Sequence, residues 1–161
     1  MDLSARCVWI TGASSGIGAA LAYELSRRGA RLVLSSRREE ALQEVRERCS
    51  RPADHVVQTL DLAEPDSLQQ AADGVQGAVG PVDVLVNNGG ISQRGTAAET
   101  EMDVVRRILE GNFFGTVQLT KAVLPAMIER QEGHIVVVSS LVGKFGTPMR
   151  SSYAASKHAL H

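Results

Sequence analysis

The sequence is poor in the features that mark several classes of protein. It holds two cysteines, Cys7 and Cys49, with no CxxC and no metal-ligand spacing. That excludes a disulfide framework and suits a reducing compartment, where both thiols are expected to be inert. The four histidines, His55, His134, His158 and His161, share no ligand spacing with cysteines or acids, so no metal site is expected. Neither sign of charge dominates: 17 basic residues against 18 acidic ones leave a net charge of −1. Their scatter gives no basic stripe for nucleic acid or an anionic membrane surface. No apolar run is long enough to span a bilayer, and the short polar stretch at residues 1–6 lacks a signal peptide's apolar core. The expected address is cytoplasmic. Repeats, low-complexity tracts and interdomain linkers are also missing, and 43% hydrophobic with 22% charged residues suits one globular domain over residues 1–161.

What the chain does have is alternation. Apolar runs at residues 8–10, 31–36, 55–60, 82–86 and 134–139 read as strands. Between them lie helical patterns at 19–28, 39–50, 65–80, 99–109 and 113–131, with Ile17, Leu21 and Leu25 at four-residue spacing on the first and Gly29 as its left-handed cap. Strands that are apolar throughout, linked by helices, predict parallel pairing buried on both faces, a doubly wound α/β sheet. The expected order is 3-2-1-4-5, with the ligand crevice at the carboxyl ends of strands one and four. The loops after strands one, four and five should meet there. The stripe of Phe113, Val117, Leu124 and Met127 reads as core or subunit contact.

The loop after strand one is TGASSGIG, residues 11–18. It offers Gly12, Ser14, Ser15, Gly16, Ile17 and Gly18 to an anion. Gly12 permits the tight turn, Gly16 close approach to a phosphate and Gly18 close helix–strand packing, while the helix dipole favours negative charge. The alternative is a bare structural corner. Tyr153 and Lys157 lie four apart in a helical segment at residues 151–161 and project from one face. A phenol acting as a base at neutral pH needs a drop of roughly three pKa units, about 4 kcal/mol, from its ordinary value. One cation at about 4 Å supplies that order of energy at an effective dielectric of about 20. The plainer alternative is a surface lysine beside a half-buried tyrosine. Ser140, at the end of strand five, can donate a hydrogen bond to a substrate carbonyl, and of Ser139 and Ser140 only one can face the site. Asn112, between two helical patterns, marks either a kink whose freed carbonyl holds a water or a plain helix cap.

Taken in order, TGASSGIG, Asp61 with Leu62, NNGG at 87–90, Asn112, Ser140, and Tyr153 with Lys157 resemble the motifs of the short-chain dehydrogenase/reductase family over nearly the whole chain. NNGGISQRG with VLPAMIER is similar to its member 7 branch. The resemblance implies a Rossmann fold and hydride transfer between a nicotinamide cofactor and a carbonyl or alcohol. It implies Tyr153 as acid/base, Ser140 orienting the carbonyl, Lys157 lowering the tyrosine's pKa and binding the nicotinamide ribose, and Asn112 holding a water in a proton relay. Asp61 would contact the adenine amine, with Leu62, Asn88 and Gly89 lining the nucleotide. Gly89 stands where the family usually has alanine. At the end of strand two the sequence reads Ser35, Ser36, Arg37 and Arg38, with no carboxylate to hold a ribose 2′-hydroxyl. NADP is therefore expected over NAD, with Arg37 as the main contact to the 2′-phosphate. The competing reading is two solvated arginines. The resemblance also implies a further helix and two strands beyond His161, so the 161 residues are expected to be a piece of a longer chain lacking the usual C-terminal strands. A full-length chain would be a homodimer or homotetramer acting on a small-molecule carbonyl or alcohol. The alternative is a truncated, non-catalytic nucleotide-binding or interaction module.

Overall fold

In the computed structural model, which describes residues 3–161, strands and helices alternate as the apolar periodicity requires. β1 (Cys7–Thr11) leads into α1 (Gly16–Arg27), β2 (Arg31–Ser36) into α2 (Glu39–Glu47), and β3 (Val56–Thr59) into α3 (Pro65–Val79). After β4 (Val84–Asn87) a loop enters α4 (Met102–Leu109), which continues through a π-helical turn (Glu110–Phe114) into α5 (Gly115–Glu129). β5 (His134–Val137) and α6 (Ser151–His158) follow. The sheet is parallel with order β3-β2-β1-β4-β5, the order expected.

Side chains alternate across the central strands, so each strand feeds two cores. On one face Trp9, Val33 and Leu85 pack against Leu68, Ala72 and Val75 of α3 and Leu119, Val123 and Met127 of α5. On the other, Val8, Ile10, Leu32, Leu34 and Val86 pack against Ala19 and Ala22 of α1 and Leu42 and Val45 of α2. Each such Leu- or Val-sized side chain contributes roughly 1.5–3 kcal/mol on burial. Trp9 stays wholly inside because its Nε1–H donates to Ser35 Oγ at 2.8 Å.

Two expectations are corrected by this packing. Burial on both faces holds for β1, β2 and β4, whereas β3 and β5 are the edge strands and all four residues of β5 are exposed. The face of α1 against the sheet is Gly18, Ala19, Ala22 and Ser26, with Leu21 and Leu25 only partly buried and Ile17 62% exposed. Small residues let the helix axis approach β1, so the leucines pack at its flanks. The α5 stripe divides between the two readings offered for it: Met127 joins Leu119 and Val123 in the core, while Val117 and Leu124 point outward and keep the subunit-contact alternative. Gly29 has φ +85 and ends α1, its N–H bonding the Ser26 carbonyl. Both cysteines are free and buried; burial pushes the Cys7 thiol up to about 11 and raises that of Cys49, which suppresses the reactive thiolate.

Candidate active site

The loops at the carboxyl ends of β1 and β4 are bolted together through Thr11. Its buried hydroxyl oxygen accepts the backbone N–H of Asn88 (3.1 Å) and Gly89 (2.9 Å) and donates to the Val86 carbonyl (3.3 Å). Asn88 returns the contact, its Nδ2 donating to the carbonyls of Thr11 (3.0 Å) and Gly12 (3.2 Å). Gly12 has φ +64, and a Cβ on it would stand 2.8 Å from the Gly89 Cα; a Cβ on Gly18 would run into the Gly12 carbonyl oxygen. Both positions therefore demand glycine. Gly16, φ +56, faces open space. Ser15, the N-cap of α1, makes no side-chain cap bond, so the first amides of the helix are left for a ligand.

Around this turn lies a cavity of about 370 Å³. Gly12, Ser14 and Ser15 form its floor, with Arg37 and Arg38 at the end of β2, Asp61 and Leu62 after β3, and Asn88 and Gly89 after β4. Arg107 of α4 and Asn112 of the π-helical turn close the wall. Arg37 and Arg38 are exposed and form no ion pair among the described residues, the acids that follow them being in the first turn of α2. Asp61 accepts the Ala63 N–H at 3.0 Å, which fixes its carboxylate at the rim. The glycine at position 89 has a local cause: a Cβ there would stand 2.7 Å from Leu62 Cδ1, so the leucine occupies the space an alanine methyl would need.

Asn112 is fully buried, and its carboxamide is a clamp. Oδ1 accepts the Ile91 N–H (2.8 Å), and Nδ2 donates to the Ile91 carbonyl (2.9 Å) and to Ser156 Oγ (3.0 Å). The kink reading thus takes the form of the π-helical turn and the plain-cap reading falls away. The Asn112 carbonyl accepts the Thr116 hydroxyl at 3.0 Å. Lys157 is 4% exposed, and burial holds its amine below the usual lysine value. Its Nζ donates to the Val138 carbonyl at 3.0 Å and lies 5.9 Å from the Tyr153 ring centroid. A Cβ on Gly90 would stand 3.1 Å from Asn112 Oδ1 and 3.6 Å from Lys157 Nζ, so the amine comes up to the cavity at that glycine. Ser139 faces the end of α6, 2.9 Å from His161 Nε2, while Ser140 Oγ accepts the Val142 N–H at 3.4 Å.

The cavity wall thus gathers Gly12, Ser14, Ser15, Arg37, Asp61, Leu62, Asn88, Gly89 and Asn112, but Gly16, Ile17, Gly18, Ser140, Tyr153 and Lys157 are not part of it. Three contributors carry no local signal of their own. Thr11 opens the TGASSGIG motif with no role of its own read from it, Ser156 is a spacer between Tyr153 and Lys157, and Arg107 could be placed only by helical phase, four residues before Gly111.

A glycine-rich turn at the switch point of a parallel sheet, with a tyrosine–lysine pair on α6, defines a doubly wound α/β protein of the Rossmann type. The chain belongs to the short chain dehydrogenase family, whose model matches residues 6–161. It is 48% identical to the human dehydrogenase/reductase SDR family member 7, over 99% of this chain and 48% of that protein, so it spans about half of that relative's length. An actinorhodin polyketide ketoreductase solved with NADPH is 34% identical with a TM-score of 0.91, covering 97% of this chain and 61% of that one. A gluconate 5-dehydrogenase from Burkholderia cenocepacia, solved with NADP and tartrate, is 32% identical with a TM-score of 0.90, covering 98% and 62%.

Proposed function

We propose that this chain carries the nucleotide-binding and catalytic part of an NADP(H)-dependent oxidoreductase that interconverts a carbonyl and an alcohol. The observation that carries the reading is the cavity itself, which joins a glycine cradle with uncapped helix amides to an arginine pair that forms no ion pair among the described residues. These residues fit a dinucleotide: Gly12, Ser14, Ser15, Gly16, Ile17 and Gly18 would hold the pyrophosphate side, Arg37 the 2′-phosphate, and Asp61, Leu62, Asn88 and Gly89 the adenosine. The ketoreductase with NADPH and the gluconate dehydrogenase with NADP support the phosphorylated cofactor.

When bound, the nicotinamide supplies or takes the hydride. Tyr153 gives its phenolic proton to the carbonyl oxygen in reduction and takes it back in oxidation, while the Ser140 hydroxyl orients that oxygen. The positive charge of Lys157 stabilises negative charge developing on the phenol and binds the nicotinamide ribose. Asn112 holds the β4 loop and α6 in register and takes part in the proton relay. No helix among the described residues is long and apolar enough to cross a membrane, and the free thiols of Cys7 and Cys49 suit a cytoplasmic address. The outward Phe114, Val117, Leu124 and Ile128 support a homodimer or homotetramer.

The test is NADPH consumption with a panel of ketones, aldehydes and steroid-like carbonyls. Turnover that disappears in Tyr153→Phe while nucleotide binding persists bears the reading out. A second reading, a nucleotide-binding module without turnover, draws on the absence of Ser140, Tyr153 and Lys157 from the cavity wall. Binding of NADPH with no oxidation of it on any carbonyl would favour that module.

A further inference from the structure

Beside Tyr153 stands a charged side chain that the proposed machinery does not use. Arg150 immediately precedes α6, three residues before Tyr153, as Lys157 stands four after it. The phenol ring therefore lies between two cations, with the Arg150 guanidinium carbon 6.0 Å and Lys157 Nζ 5.9 Å from its centroid.

The two cations differ in what surrounds them. Lys157 is buried and bonded to the Val138 carbonyl, whereas Arg150 is half-buried and donates from Nη1 to Ser92 Oγ at 3.3 Å. Arg150 forms no ion pair among the described residues. Ser92 follows Ile91, which lines the nucleotide cavity, so the guanidinium is held where the cavity wall passes over to the Tyr153 ring. The backbone sets its aim as well. Met149, just before it, adopts the left-handed conformation (φ +63), unfavourable for a bulky residue, and its carbonyl accepts the Gly95 N–H at 3.0 Å. A planar guanidinium has five N–H donors in a fixed fork, and Ser92 uses one. The rest suit a carboxylate, which an arginine can bind through two parallel bonds.

We propose that Arg150 is a specificity-determining residue that selects carbonyl substrates bearing a carboxylate, that is, short oxo acids and the hydroxy acids formed from them. The assignment rests on Tyr153 being the group that meets the carbonyl oxygen: a substrate seated there brings a carboxylate a few bonds away within reach of the guanidinium.

The experiment is calorimetric titration of the 161-residue chain, in the presence of NADP⁺, with levulinate and with its neutral methyl ester. An exposed guanidinium–carboxylate pair contributes a modest factor, so levulinate is expected to bind roughly three- to tenfold more tightly than the ester. Arg150→Met removes that difference, Arg150→Lys keeps part of it, and Ser92→Ala reduces it. Tyr153→Phe keeps the preference for the acid. A chain that prefers levulinate through Arg150 yet, in a separate assay supplied with NADPH as hydride donor, oxidises none of it on levulinate or on any other carbonyl of the panel bears this inference out while refuting the catalytic reading. Equal binding of acid and ester, an unchanged preference in Arg150→Met, or no binding of either compound overturns it.

Discussion

Two glycines of the nucleotide cradle differ in what presses on them, and that difference sets the cost of replacing each. At Gly18 a methyl group would meet the Gly12 backbone carbonyl, which cannot yield without opening the turn after β1. At Gly89 it would meet the tip of Leu62, a side chain that can rotate, and would press less closely on the Thr11 side chain, at 3.2 Å from Oγ1 and 3.3 Å from Cβ. Gly18→Ala is therefore expected to weaken nucleotide binding by more than about tenfold and to destabilise the fold by about 2 kcal/mol, whereas Gly89→Ala costs under about 1 kcal/mol. Calorimetric nucleotide titration and urea unfolding check both. His55 poses a different question, because it is buried and committed on both ring nitrogens. Nδ1 accepts the Leu32 N–H at 3.2 Å and Nε2–H donates to the Ser50 carbonyl at 2.9 Å, an arrangement that only the neutral ring satisfies. Burial holds its pKa below the ordinary histidine value. The unfolded chain thus takes up the proton first. Stability is full above about 6.5, the unfolded pKa, and falls as pH drops through that value toward the lower folded one. Urea midpoints between pH 8 and 5 should show this decline, and His55→Gln should flatten it.

At the scale of elements, the helical stretch from Met102 to Glu129 carries its function at the point where its regular bonding is interrupted. The π-helical turn at Glu110–Phe114 carries Asn112, whose carboxamide ties the loop after β4 to Ser156 of α6. One side chain thereby aligns the cavity wall with the helix that bears Tyr153 and Lys157. Asn112→Ala leaves the Ile91 amide and carbonyl without these partners, and a loss of about 3 kcal/mol is expected in urea unfolding. If the carboxamide were peripheral, the loss would stay below about 1 kcal/mol. Much of the element pattern was legible beforehand: five strands in the order found, Gly29 ending α1, and a break at Asn112. The burial face of α1 was not, because apolar periodicity marks Ile17, Leu21 and Leu25 while close helix–sheet packing selects Gly18, Ala19 and Ala22. For the stripe of Phe113, Val117, Leu124 and Met127 the sequence left core and subunit contact both open, and only the packing divides it, because a large apolar residue is compatible with core and surface alike.

For the molecule as a whole, the cavity couples ligand binding to folding. A nucleotide at about 100 times its Kd, binding only the folded chain, adds about 2.7 kcal/mol of stability. NADPH should accordingly raise the melting temperature more than NADH does, and Arg37→Asp should abolish or invert that order, since a carboxylate suits a 2′-hydroxyl and repels a 2′-phosphate. An unchanged order in the variant would leave Arg37 as a solvated side chain. At one edge of the sheet β5 leaves Ile135, Val136 and Val137 partly exposed, their side chains alternating between its two faces.

The sequence by itself determined the strand–helix alternation, the glycine turn after β1 and the tyrosine–lysine spacing, because each depends on local geometry: side-chain period, glycine's freedom at positive φ, and one helical turn. Only the tertiary structure decided that Thr11 locks two loops together, that Arg107 enters the cavity wall and that the Arg150 guanidinium lies 6.0 Å from the Tyr153 ring centroid beside Ser92. Those contacts join residues far apart in the chain, and their partners are chosen by how helices pack on the sheet, which no local pattern encodes.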